Sequence, residues 1–162
     1  MTIVITDILA GVPHGASLDI FTDGASKNNP GPAGWGFVVV HEDTAVHSAS
    51  ASIGKTTNVV AEMTGALRAL ESLRERPDIN ATIFSDNQML IRGMTEWLSG
   101  WKRKGWRKSD GKPVLNADLW KALDSAASAL PAVAWQWVRG HDGNEFNEMA
   151  DGLASEAARG AV

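Results

Sequence analysis

The order of signals along this 162-residue chain predicts an α/β domain: a five-stranded mixed sheet, its first three strands antiparallel, flanked by helices. Two observations carry the prediction. Residues 18–23, 34–41 and 45–53 read as strands joined by turn residues alone, and strands so joined run antiparallel. From residue 58 the apolar spacing turns helical, and helices then alternate with two more short strands, as expected for helices packed on a sheet.

Each element has its own warrant. Leu18, Ile20 and Phe21 form an apolar run that closes on Asp23. Asn28, Asn29, Pro30, Gly31 and Pro32 then force a turn, and Glu42, Asp43 and Thr44 make a second, shorter one. A helix is expected over 58–74, capped by Asn58, because Ala66, Leu67, Leu70 and Leu73 recur at helical spacing. Pro77 and Asp78 end it, and 81–85 is a fourth strand. Helices over 87–98, 116–130 and 144–159 and a fifth strand over 133–138 complete the order, with a basic break after the first of these helices. The length suits one domain with one sizeable core, here residues 18–160. Residues 1–17, interrupted by Asp7 and rich in Gly and Pro near their end, are expected to form a loosely ordered extension. They lack a basic flank and a long apolar centre, so neither a leader nor a membrane span is expected. There is no cysteine, which excludes disulfides and thiolate metal sites, and a cytoplasmic location is expected.

Four acids stand out: Asp23 in I-F-T-D-G, Glu62 in V-V-A-E-M, Asp86 in I-F-S-D-N-Q and Asp151 in N-E-M-A-D-G. Asp23 and Asp86 each follow an apolar strand directly, which puts them at the sheet edge where open α/β folds place ligands. Carboxylates gathered there repel one another unless cations neutralise them. Oxygen donors of this kind suit magnesium or manganese rather than zinc or copper. Net charge is −4, yet residues 101–112 (W-K-R-K-G-W-R-K-S-D-G-K) hold six basic residues and one acid, leaving −9 on the remainder. A basic patch interleaved with Trp101 and Trp106 is a footprint for a polyanion, because aromatics beside Lys and Arg stack on bases.

Taken in order, T-D-G-A-S-K-N-N-P-G-P-A-G-W-G, T-T-N-V-V-A-E-M, S-D-N-Q, W-L-S-G-W-K-R-K-G-W, K-P-V-L-N-A-D-L-W, W-V-R-G-H-D-G and N-E-M-A-D make the chain resemble the bacterial type 1 ribonuclease H family. The resemblance runs from about residue 18 to 159 and implies the ribonuclease H-like fold. It also implies an endonuclease that cuts the RNA strand of RNA–DNA hybrids, leaving 5′-phosphate and 3′-hydroxyl ends. By it, Asp23, Glu62, Asp86 and Asp151 hold two Mg2+ ions, with Mn2+ able to substitute, and Glu148 stands near the second. His141, on a glycine-flanked loop, matches the family's proton-transfer or product-release histidine. His14, His41 and His47 have no such context.

The same resemblance assigns substrate contacts. Asn29, Asn58 and Gln88 face the hybrid's minor groove, and Lys55, Thr57 and Asn116 surround a DNA phosphate. Trp97, Trp101, Lys102, Lys104 and Trp106 belong to a basic protrusion over about 98–113 that grips the DNA strand. Trp97 and Trp101 are four apart, a spacing that equally suits packing within a helix, and Trp120, Trp135 and Trp137 read as mainly core. A monomer acting on hybrid duplex, with no membrane partner, is expected. Two positions depart from the family pattern. Val59 replaces a second Asn and removes a minor-groove contact worth on the order of 1 kcal/mol. Met89 replaces an aromatic, which is expected to loosen packing near Asp86. Rival readings are a hybrid-binding module without catalysis, which would be expected to lack one of the acids, and a carboxylate-metal exonuclease or resolvase acting on DNA. The Asn and Gln set and the Trp–Lys protrusion speak against the second.

Overall fold

A computed structural model describes residues 8–140 and 142–160. The strands are β1 (Ser17–Ser26), β2 (Gly31–His41), β3 (Thr44–Thr56), β4 (Asn80–Ser85) and β5 (Ala132–Trp137). They form one sheet in the order β3-β2-β1-β4-β5. β1 pairs antiparallel with β2 and β2 antiparallel with β3, whereas β4 runs parallel to both β1 and β5. The expected mixed sheet is therefore present.

The helices are α1 (Asn58–Glu71), α2 (Gln88–Arg92), α3 (Leu98–Arg103), α4 (Ala117–Ser128) and α5 (Glu145–Gly160), with a π-helical turn over Gly93–Trp97 joining α2 to α3. Asn58 is the first residue of α1, not its cap; Thr57 is the cap, its hydroxyl accepting the Val60 N–H at 3.2 Å. The break expected at residue 98 falls later, because the π turn lets the helical path continue to Arg103. The basic segment beyond it folds back on itself. Trp106 N–H donates to the Trp101 carbonyl at 2.7 Å and Val114 N–H to the Trp106 carbonyl at 3.1 Å.

Alternation along β1 sends Leu18 and Ile20 to one face of the sheet and Phe21 to the other. The first face carries the larger core, built with Met63, Ala66 and Leu70 of α1 and Trp120 and Leu123 of α4. The second is covered by α5: Phe21 stacks on Phe84 at 4.6 Å and meets Phe146 at 5.6 Å, beside Val38, Val40 and Ala150. β2 turns Gly34 and Gly36 toward α5, and a Cβ at Gly36 would lie 2.6 Å from the Leu153 Cβ, so the glycine permits the close approach.

Residues 8–16 are not a loose extension. Leu9 and Val12 are only 2% and 6% exposed and belong to the larger core. Arg76, at the α1–β4 connection, donates to the carbonyls of Leu9 and Pro13 at 3.1 and 3.0 Å and pairs with Asp78 at 3.0 Å. Asp78 in turn accepts the Gly15 N–H at 2.8 Å. Arg76 and this amide hold the Asp78 carboxyl well below the usual range. The rest of the expected extension, residues 1–7, lies outside the described residues.

Candidate active site

Parallel pairing sets the first two carboxylates side by side. Phe21 stands opposite Phe84, and the same register carried two residues on brings Asp23 level with Asp86 at the carboxyl ends of β1 and β4. The third comes from α1, which crosses β1 unusually closely. A Cβ on Gly24 would overlap the Ala61 carbonyl carbon and the Glu62 amide, and one on Gly65 would sit 2.7 Å from the Asp23 carbonyl oxygen. These two glycines let the helix deliver Glu62 to the strand end. One oxygen each from Asp23, Glu62 and Asp86 then lie within 4.8 Å of one another.

The cluster is buried enough for its charge to matter. Asp23 and Glu62 are 4% and 8% exposed, and Asp86 is half-buried. Burial pushes the Asp23 carboxyl up to about 7, a hydrogen bond with Glu62 opposes the rise, and Asp86 and Asp151 add to it. The Gly24 amide, 2.9 Å from Asp23 Oδ1, also opposes it. Glu62 is raised well above its ordinary value, by burial first and then by Asp23 and Asp86. Glu62 Oε2 is buried with no hydrogen-bond partner. Three crowded carboxylates, two of them pushed toward the neutral form and one oxygen orphaned, form a donor set that a hard divalent cation would satisfy.

The remaining expected site residues divide. Asp151 of α5 hydrogen-bonds Asp23 but is outside the group of three, and Glu148 is exposed and likewise outside it. His141 lies outside the described residues. Asn29, Thr57, Trp97, Trp101 and Asn116 line one cavity of about 550 Å³, which Val59 and Met89 also border. Asn29 Oδ1 accepts the Asn58 N–H at 3.1 Å, so the two minor-groove candidates touch each other. Gln88 is exposed and lines a separate hollow with Arg92 and Trp137, and Lys55 is exposed on β3.

Packing accounts for much of the tryptophan set. Trp101 lies 5.9 Å from Trp97, 6.3 Å from Trp106 and 5.2 Å from the buried Trp120. Lys121 sits over Trp106 and Arg92 over Trp97. Lys102 is paired with Asp124 at 2.9 Å, whereas Lys104 is exposed beside Trp97 and Trp101 along a cavity of about 480 Å³. Met89 is partly buried against the larger core and borders the cavity of about 550 Å³. Trp120 is core as expected, but Trp137 is 37% exposed and donates its indole N–H to the Asp86 carbonyl at 3.1 Å. Sequence reasoning missed that contact; its only trace is an aromatic residue at the end of the strand beside the one that carries Asp86.

A mixed sheet that gathers carboxylates at the carboxyl ends of its central strands defines a class, α/β enzymes built around hard cations. Known proteins make the class specific. The RNase H family model matches residues 15–159. A ribonuclease H of Cyanothece sp. is 46% identical over 141 residues, covering 87% of this chain and 88% of its own. One from Bordetella pertussis is 46% identical over 158 residues, covering 94% and 97%. Among solved structures, the N-terminal RNase H domain of a Mycobacterium tuberculosis protein, fused to maltose binding protein, is 28% identical with a TM-score of 0.73, covering 90% of this chain and 96% of that one. LC11-RNase H1, solved in complex with RNA/DNA hybrid, is 30% identical with a TM-score of 0.70, covering 89% and 98%. The chain belongs to the ribonuclease H family, among its bacterial members.

Proposed function

We propose that this protein is an endoribonuclease that hydrolyses the RNA strand of RNA–DNA hybrids and leaves 5′-phosphate and 3′-hydroxyl ends. The observation that carries the reading is the cluster itself, three carboxylates within 4.8 Å and a buried, unpartnered Glu62 oxygen. Asp23, Glu62 and Asp86 would hold Mg2+, or Mn2+ in its place, with Asp151 and Glu148 completing a two-ion site. Bound there, the ions would supply charge neutralisation at the phosphate and a water of lowered pKa. The chain's own residues do the rest. Asp23 and Glu62, whose carboxyls are both raised, would give up their protons when cations are held there, and the sheet edge would hold the reacting phosphate at their open side. His141 serves proton transfer or product release.

Substrate choice rests on the cavity that joins Asn29 and Thr57 to Asn116 and Trp97. Asn29, Asn58 and Gln88 read the minor groove, Lys55, Thr57 and Asn116 hold a DNA phosphate, and Trp101, Lys102, Lys104 and Trp106 grip the DNA strand. LC11-RNase H1, which has been solved with hybrid bound, supports that partner. Among the described residues no helix is long and apolar enough to cross a membrane, and we place the protein in the cytoplasm as a monomer. The test offers strand-labelled hybrid, double-stranded RNA and double-stranded DNA with Mg2+. Cutting confined to the hybrid's RNA strand, with 5′-phosphate products, supports the reading. Hybrid binding without cutting would favour a binding module, and cut DNA a different nuclease.

A further inference from the structure

The β4–β5 ladder ends one residue before the carboxylate that matters. Ser85 pairs with Trp137, and the Val138 N–H donates to the Ser85 carbonyl at 2.9 Å. Asp86 lies beyond the last rung, where strand pairing no longer fixes the backbone. Side chains fix it instead. Ser85 Oγ accepts the Asn87 N–H at 3.1 Å, Asn87 Oδ1 accepts the Leu90 N–H at 3.0 Å, and the Trp137 indole donates to the Asp86 carbonyl at 3.1 Å. Of the three, only the indole bond acts on Asp86 itself and ties it to β5.

The Trp137 ring is only partly buried. It is 37% exposed and borders a shallow hollow of about 290 Å³ with Gln88, Ile91 and Arg92. A large apolar residue left this open at a strand end has its polar edge as its distinguishing contribution. The same β5 exit gives the carboxylate its room, since a Cβ on Gly140 would lie 2.7 Å from Asp86 Oδ2.

We propose that Trp137 is a positioning residue: its indole N–H holds the Asp86 backbone so that the carboxylate stays aimed into the cluster with Asp23 and Glu62. This rests on the reading of Asp86 as a cation ligand. Removing the donor loosens the tie to β5, which misplaces one ligand while Gln88, the neighbour of Trp137 in the hollow, keeps its own place on α2.

Trp137→Phe keeps an aromatic ring and removes the donor. A second variant carrying 3-benzothienylalanine at position 137 keeps the bicyclic shape and lacks only the N–H, so it serves if the phenylalanine variant does not fold. Trp135→Phe on the same strand is the control. Calorimetric titration with Mn2+ alone and steady-state cleavage of hybrid are measured on each. The expected result is a cation Kd weakened roughly five- to tenfold, about the worth of one hydrogen bond, with kcat lowered in step. KM for hybrid and the control's constants stay as in the wild type. An unchanged Kd and kcat, or a rise in KM alone, would overturn the inference. If wild-type protein itself took up no Mn2+, the cation-site reading would fall instead.

Discussion

At the scale of single residues, the cluster is held in a state that costs the fold stability. An acid whose folded pKa is raised keeps its proton after the unfolded chain has lost it. The Asp23 contribution to stability therefore falls as pH climbs from the ordinary carboxylate value of about 4 to its own value of about 7, and is level above it. With cations chelated, Asp23→Asn should raise stability above pH 7 by on the order of 1–3 kcal/mol, and the gain should vanish near pH 4. Urea melts in EDTA at the two pH values check this. A variant less stable than wild type at both would mean that Asp23 is not under strain. Magnesium should stabilise the wild type and do little for the variant, because ligand binding to the folded state alone shifts the equilibrium.

Among the elements, the succession of strands along the chain, the helices after residue 58 and the two carboxylate-bearing strand ends were legible in sequence because periodicity and turn residues are local signals. What was not legible depends on tertiary contact. Residues 8–16 carry too few apolar positions, broken by Gly11 and Pro13, for any periodicity to show. Their order comes from Leu9 and Val12 entering a core made elsewhere and from a guanidinium more than sixty positions along the chain. The helix cap slipped by one, since Thr57 and Asn58 are both good caps and only backbone geometry chooses. Trp137 looked like core because a W-x-W strand alternates as core strands do, and nothing local announces a bond to Asp86. The contacts of Arg76 with residues 9 and 13 can be tested directly. Arg76→Ala should lower the melting temperature by roughly 3–8 °C while Mn2+ affinity is unchanged, as read by calorimetry on the folded variant. A loss of cation affinity would show that segment 8–16 reaches the site.

For the molecule as a whole, the chain is acidic, yet six of its fifteen basic residues crowd into 102–112, the end of α3 and the segment after it, where Lys104 stays exposed beside the tryptophans. The carboxylates lie at the carboxyl ends of the central strands, away from these exposed bases, so under the proposed function a polyanion would meet positive charge first and the acids only where metal covers them. Under the proposed function one fold separates the grip on a duplex from the cutting of it, and the cutting belongs to Asp23, Glu62 and Asp86. The most direct measurement is the cleavage rate of hybrid RNA by wild type and by Glu62→Gln, each in Mg2+ and in EDTA. Wild type is expected to cut in Mg2+ alone, and the variant to bind hybrid but cut more slowly by roughly a hundred- to a thousandfold, the order of loss when a key electrostatic group of an active site is removed. A variant that cuts at the wild-type rate, or wild-type cutting that persists in EDTA, would contradict it.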